Sequence, residues 1–221
     1  MAITDAQKYM SSLQDDREIY IDGQRIKDVT KDYRFIGAAE TMAELLQMQH
    51  DPEFTDTLTY NSPTSGDKVG MSHIQPKSIE DVRSRGNAMK VWMDATCGML
   101  GRSPDYKNVM VAAWSAAAEV FNRPSFDGSD NIKNFYEHVR ENDRTMTHVL
   151  VNPQVDRSRP AHLQESEIVA QIVKETDAGM VVRGARMVAT LCALANEIVV
   201  MPAAVTWQTS ETHETTNYAF G

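Results

Sequence analysis

Glu137-His138-Val139-Arg140-Glu141-Asn142-Asp143-Arg144-Thr145-Met146-Thr147-His148-Val149-Leu150-Val151 holds the point where one kind of chain gives way to another. As far as Asn142 the stretch is charged and reads as a helix. From Thr145 onward, β-branched and apolar side chains crowd into a short extended run. Upstream, the long apolar patterns have helical spacing. Downstream, short β-rich runs dominate, at 147–151, 168–175, 180–183 and 197–201. Helices followed by strands mark an α+β chain. The boundary falls near Arg144, between a helical N-terminal domain at 1–144, which includes a small β-hairpin, and a β-domain at 145–221.

Working outward, Thr4 reads as the cap of a helix running to Leu13. Residues 18–26 alternate around Asp22-Gly23, a two-residue hairpin signal. Met42, Leu45, Leu46 and Met48 form a helical stripe within 35–49, and 54–60 and 70–74 read as extended on either side of a polar loop at 61–67. Ser78-Ile79-Glu80-Asp81 is a capping box. It opens a long helix whose apolar positions Ile79, Val82, Met89, Trp92, Met93, Met99 and Leu100 recur at helical spacing. Ser103-Pro104-Asp105 opens the next helix, at 104–121: Ser caps, Pro suits the first helical position, and Asp favours the positive end of the dipole. Ala112, Ala113, Ala116, Ala117 and Ala118 permit close approach and suggest that this helix is central. Residues 122–130 read as a loop, 131–142 as a helix, 157–164 as a polar linker, and Asp177-Ala178-Gly179 as a hairpin turn.

The 221 residues suffice for one or two domains with their own cores. A net charge of -9 argues against a general nucleic-acid surface. No apolar run is long enough to span a bilayer, and the N-terminus carries no signal pattern, so the protein reads as cytoplasmic. Cys97 and Cys192 lie far apart in apolar surroundings and read as buried free thiols. No G-x-G-x-x-G follows a strand, and Gly98-Met99-Leu100-Gly101 is not followed by the Lys-Ser/Thr of a phosphate loop. Asp127-Gly128-Ser129-Asp130 lacks the closing Glu of a calcium loop, and no metal site is expected.

Two segments carry chemistry. In Gly101-Arg102-Ser103-Pro104-Asp105-Tyr106, Arg102 falls just outside a helix N-terminus and Tyr106 in its first turn, a place suited to an anion such as a phenolate. The same residues also read as a helix cap with a surface arginine. Thr147-His148-Val149-Leu150-Val151-Asn152-Pro153-Gln154-Val155-Asp156-Arg157-Ser158 sets a histidine on a strand, where a structural role is commoner than a catalytic one.

Both segments resemble the 4-hydroxyphenylacetate 3-monooxygenase family, the oxygenase components of two-component, reduced-flavin-dependent phenol hydroxylases. So do the hairpin Arg17-Glu18-Ile19-Tyr20-Ile21-Asp22-Gly23-Gln24-Arg25-Ile26-Lys27-Asp28-Val29-Thr30, the lead-in Glu137 to Asp143, and the block Lys174-Glu175-Thr176-Asp177-Ala178-Gly179-Met180-Val181-Val182-Arg183-Gly184-Ala185-Arg186-Met187-Val188-Ala189-Thr190-Leu191. The resemblance runs in order over nearly the whole chain. It implies an acyl-CoA-dehydrogenase-like build: a helical N-terminal domain, then a middle β-barrel or sandwich, then a C-terminal helical bundle. These 221 residues would end inside the β-domain, with the bundle absent. It also implies FAD, delivered as FADH2 by a separate reductase, O2 as co-substrate, a flavin C4a-hydroperoxide, ortho hydroxylation of a phenol, and a tetramer.

Residue by residue, the resemblance makes Arg102, Tyr106 and His148 the catalytic and substrate-binding set. It puts His148, Gln154, Val155, Asp156, Arg157 and Thr190 against the flavin. Ala203 and Ala204 fall in a substrate loop where the family often carries hydroxyls, and here the chain departs from the pattern. Two rivals stand beside this reading. One is a truncated, non-catalytic paralogue. The other is a 4-hydroxybutyryl-CoA dehydratase-like enzyme, whose iron–sulfur cluster would need a second cysteine where Gly101 follows Cys97.

Overall fold

The computed structural model describes residues 2–99, 101–122, 127–153, 156, 168–177 and 179–201. The chain divides into two compact units, Met1–Met146 with Ala193–Asn196, and Thr147–Cys192 with Glu197–Gly221.

In the first unit, α1 (Ala6–Ser12) is capped by Asp5, whose carboxylate accepts from the Lys8 N–H at 2.7 Å. Thr4, the expected cap, instead donates its backbone N–H to the buried Asp143 carboxylate at 2.9 Å. The hairpin β1 (Ile19–Ile21) and β2 (Gln24–Ile26) forms where expected, with Asp22 and Gly23 both at positive φ as a two-residue turn requires. α2 (Ile36–Gln47) continues into a 3-10 turn at Met48–His50.

The two expected extended runs are shorter than they looked. Thr55–Leu58 is a helical turn, α3, held by the Thr55 hydroxyl donating to the Gln49 and Asp51 carbonyls at 2.9 and 2.8 Å. Only β3 (Thr59–Asn61) is strand, paired antiparallel with β4 (Lys68–Gly70), and Met71–His73 coils into a 3-10 turn.

α4 (Ile79–Ala95) starts at the predicted capping box, Ser78 and Asp81 satisfying each other's backbone N–H groups. Its apolar stripe does not all face inward. Ile79, Val82, Met89 and Met99 are exposed, whereas Ala88 and Trp92 are buried. Trp92 Nε1 donates to the Leu45 carbonyl at 3.0 Å, and Ala88 joins it in the same apolar cluster; Leu100 lies outside the described residues. Cys97 is exposed, not buried, because Cys97 and Gly98 form a left-handed turn that ends the helical segment. Cys192 is half-buried, and both thiols are free.

α5 (Asn108–Ala116) begins four residues later than 104. Lys107 has φ 90, a left-handed conformation that no α-helix contains. The Ser103 hydroxyl bonds the Asp105 carboxylate instead of a helix N–H. A 3-10 turn at Ala118–Phe121 follows. Ala112 and Ala118 are buried, but Ala113, Ala116 and Ala117 are exposed, so α5 is a flank of this unit and not its centre. α6 (Gly128–Glu141) starts three residues before the expected 131, capped by Asp127. Two apolar clusters result. Leu45, Leu58, Met71, Ala88 and Trp92 join α2, α3 and α4, while Val111, Ala112, Tyr136, Val139 and Met146 join α5 and α6.

The second unit is built of short pairings. β5 (Met146–Val149), whose first residue belongs to the first unit, pairs with β8 (Glu197–Val200). β6 (Gln171–Thr176) and β7 (Gly179–Arg183) form an antiparallel hairpin closing at Thr176–Gly179; Ala178 is outside the described residues. Single bridges join Val151 to Met187 and Val169 to Ala185. Gly184, at φ +119, is packed so tightly that a Cβ there would lie 2.4 Å from the Val169 carbonyl oxygen.

Candidate active site

The turn before α5 carries the first two candidates. The Tyr106 N–H donates to the Ser103 carbonyl at 2.9 Å and the Asn108 N–H to the Asp105 carbonyl at 2.9 Å, so 103–108 folds back on itself twice. This closure lays the Arg102 guanidinium over the Tyr106 ring, 4.2 Å from its centroid, with Lys107 Nζ 4.3 Å from the same centroid. A phenol side chain thus sits in contact with two cations, each attracted by the ring face. Arg102 Nη1 donates to the Gly101 carbonyl at 2.9 Å, while its Nε is buried without a hydrogen-bond partner.

The turn rests on a buried polar seat. Asp105 is buried beneath it, and burial pushes its carboxyl up from the ordinary range, against the opposing effects of the Ser103 hydroxyl, His73 and Arg85. Asn108 Nδ2 donates to Ser72 Oγ at 2.7 Å and lies 3.1 Å from His73 Nε2. His73 is fully buried, 3.7 Å from Asp143 Oδ1, and its carbonyl accepts from the Tyr136 hydroxyl at 2.6 Å. Asp143 in turn accepts from Gln49 Nε2 at 2.7 Å as well as from Thr4. Gln49 Oε1, His73 Nδ1 and Asn108 Oδ1 remain without partners. Sequence reasoning missed this cluster. The one available signal was a histidine and a serine inside the otherwise apolar run Val69-Gly70-Met71-Ser72-His73-Ile74, since a polar residue in such a run needs a buried partner.

In the second unit His148 lies half-buried on β5. The neighbouring Thr147 is fully buried, and its hydroxyl donates to the Thr190 carbonyl. Thr190, itself exposed, is thereby tied to the residue beside His148. Asp156 is half-buried, and Gln154, Val155, Arg157, Ala203 and Ala204 lie outside the described residues. The structure therefore brings Arg102 and Tyr106 together in one unit, and Thr190 against the His148 strand in the other. Two more polar groups in the second unit escaped sequence reasoning: Asn152 Oδ1, and Nε and Nη1 of Arg186, all buried without partners.

The model of the family described as 4-hydroxyphenylacetate 3-hydroxylase N terminal matches residues 5–220. The chain belongs to this family. It is 41% identical over 194 residues to the 4-hydroxyphenylacetate 3-monooxygenase oxygenase component of Thermus thermophilus, covering 87% of this chain and 39% of that relative. It is 38% identical over 192 residues to a Streptomyces globisporus monooxygenase named for a 3-chloro-4-hydroxyphenyl substrate held on a peptidyl-carrier protein, covering 85% of this chain and 35% of that one. A solved oxygenase component of 4-hydroxyphenylacetate 3-monooxygenase, complexed with FAD and 4-hydroxyphenylacetate, superposes with a TM-score of 0.82 at 40% identity, over 90% of this chain and 41% of that one. The chain spans about two-fifths of the length of the family members it matches. An archaeal 4-hydroxybutyryl-CoA dehydratase, with a TM-score of 0.75 at 19% identity, shares the mixed helix-and-sheet fold. Among the described residues no group of three or more His, Cys, Asp or Glu side chains could hold a metal ion, and no helix is long and apolar enough to cross a membrane.

Proposed function

We propose that this chain forms the phenol- and flavin-facing part of a reduced-FAD-dependent aromatic hydroxylase that adds one oxygen atom ortho to a phenol hydroxyl. The observation that carries the reading is the Arg102–Lys107 turn: a tyrosine in contact with two cations, one of them with a buried Nε that has no partner. Such a turn suits an anionic phenolic oxygen. A ring attacked by an electrophilic oxygen must be electron-rich, and deprotonating the phenol makes it so. Arg102 stabilises the phenolate through its guanidinium charge and donors. Tyr106 donates a hydrogen bond from its hydroxyl, and His148 takes the phenolic proton. Reduced FAD, when bound, supplies the oxygen-activating chemistry with O2.

His148, Gln154, Val155, Asp156, Arg157 and Thr190 are the residues assigned to the flavin, and Ala203 and Ala204 to the substrate loop. Buried polar groups without partners at Asn152 and Arg186, close in sequence to these positions, are compatible with a polar ring system joining this unit. The wider reading follows the family: an acyl-CoA-dehydrogenase-like plan divided at 1–144 and 145–221, a helical N-terminal domain before a β-barrel, a tetramer in the cytoplasm, and a separate flavin reductase as partner. The substrate is a para-substituted phenol, either free, as in the complex with 4-hydroxyphenylacetate, or carrier-tethered, as the Streptomyces relative's name states.

The test combines the protein with a flavin reductase, FAD, NADH and 4-hydroxyphenylacetate, and counts catechol and H2O2 per O2 consumed. Removing one charge-assisted partner of the phenolate costs about 3 kcal/mol, on the order of a hundredfold in the hydroxylation step. Arg102→Ala and His148→Ala are therefore expected to keep consuming O2 while releasing H2O2 in place of catechol. Wild-type coupling in both variants would return Arg102 to a helix-flanking role and His148 to a structural one.

A further inference from the structure

The connection from β7 to the Met187 bridge holds a guanidinium in an unusual state. Arg186 Nε and Nη1 are closed off from solvent and have no hydrogen-bond partner. Burial is what lowers its pKa. A long cationic side chain normally extends its head group to water or to an anion. Here the backbone is pinned on both sides of it. The Ala185 N–H donates to the Ile168 carbonyl at 2.9 Å, the Ala185 carbonyl accepts from the Ala170 N–H at 3.2 Å, and the Met187 N–H donates to the Val151 carbonyl at 2.8 Å. Gly184 is wedged against Val169 with no space for a Cβ. Asn152 follows Val151 and Arg186 precedes Met187, the two residues joined by this antiparallel bridge, and Asn152 Oδ1 is also buried without a partner. Positions next to one bridge thus present two guanidinium donors lacking an acceptor and an amide oxygen lacking a donor.

A ligand that completes both must offer an acceptor beside an N–H. A phosphate offers acceptors only and would leave Asn152 unsatisfied. The pyrimidine edge of an isoalloxazine ring offers carbonyl oxygens on either side of a ring N–H, and in the reduced, deprotonated ring the negative charge lies along that edge. We propose that Arg186 and Asn152 form a clamp for the pyrimidine edge of the flavin, the guanidinium donating to a ring carbonyl and Asn152 Oδ1 accepting the ring N–H. The clamp rests on the flavin-dependent reading above and assigns to it two residues outside the carried-over set. It holds the ring by its polar edge and favours the reduced, anionic form.

The experiment is equilibrium binding of reduced FAD and of reduced riboflavin, which has the same ring and no phosphates, under nitrogen. The protein is expressed from its whole gene, as wild type, Arg186→Met and Asn152→Leu. The thermal midpoint of each protein without ligand is measured alongside. Arg186→Met is expected to weaken both ligands on the order of tenfold to a hundredfold, the loss of one charge-assisted hydrogen bond. Asn152→Leu should weaken both by a smaller factor. The unliganded midpoint of Arg186→Met should stay level or rise, because an unpaired buried charge has been removed. A loss of FAD affinity with riboflavin unaffected moves the arginine to the phosphates and overturns the clamp. A midpoint that falls in step with affinity makes Arg186 structural and also overturns it. Wild type that binds flavin with neither variant impaired overturns the clamp alone, whereas wild type that binds no reduced flavin overturns the flavin-dependent reading as well.

Discussion

Replacing Asn108 by leucine, a side chain of similar size, removes the keystone under the Arg102–Tyr106 turn. Asn108 is buried, donates to Ser72 Oγ at 2.7 Å, and lies 3.1 Å from His73 Nε2. Leucine makes neither bond, so two buried polar groups lose this partner. Each stranded group costs roughly 1–3 kcal/mol, or roughly 2–6 kcal/mol for the two. The variant also removes Asn108 Oδ1, which is buried without a partner in the wild type, and recovers roughly 1–3 kcal/mol. The expected net loss is one group's worth, about 1–3 kcal/mol. For a protein of this size that corresponds to a fall of roughly 2–12 °C in the thermal midpoint. Urea unfolding followed by tryptophan fluorescence, with Trp92 reporting from the first unit's core, measures it. Removing the Ser72 hydroxyl as well leaves one fewer stranded group, so Ser72→Ala combined with Asn108→Leu should be more stable than Asn108→Leu alone by about 1 kcal/mol. A single-variant loss below about 0.5 kcal/mol would mean that these bonds are replaced by water. The polar cluster would then not be what seats the turn.

Two further outcomes follow from the same structure. Asp105 has its carboxyl pKa raised by burial, so the folded protein holds that proton more tightly than the unfolded chain. Its contribution to stability is therefore greatest below the ordinary carboxylate range and declines as pH rises through the raised pKa; Asp105→Asn should flatten that decline and match or exceed wild type at pH 7 in urea titrations run across pH, and an unchanged pH slope would refute it. Gly184→Ala would set a Cβ 2.4 Å from the Val169 carbonyl oxygen at a φ of +119. It should cost about 3 kcal/mol or more in the second unit and expose the Ala170 and Ala185 amides to hydrogen exchange, so unchanged protection of those amides would contradict it.

Local chemistry made much of this protein legible in its sequence. Asp22-Gly23 forms the hairpin because a two-residue turn needs positive φ at both positions, and Ser78 with Asp81 caps α4 because the two satisfy orphan N–H groups within one turn. The change from helix to strand near Arg144 follows from side-chain branching and the spacing of apolar residues. The family itself is carried by residues along nearly the whole chain. What failed were inferences that needed to know what lies opposite. Helical spacing marked Ile79, Val82 and Met89 as inward, but whether a stripe is covered depends on a neighbouring element, and here the covered patch is Ala88 and Trp92. Ser103-Pro104-Asp105 carries all the local signs of a helix start. Even so, α5 begins at Asn108, where a left-handed Lys107 and the buried bonds of Asn108 to Ser72 and His73 outweigh propensity. The sequence by itself determined the Asp22-Gly23 turn, the Ser78–Asp81 cap, the change from helix to strand and the family. Tertiary structure alone decided which polar groups are buried and which of those lack partners, because Asn108 and Ser72, Thr4 and Asp143, and Val151 and Met187 are separated along the chain and meet only when it folds.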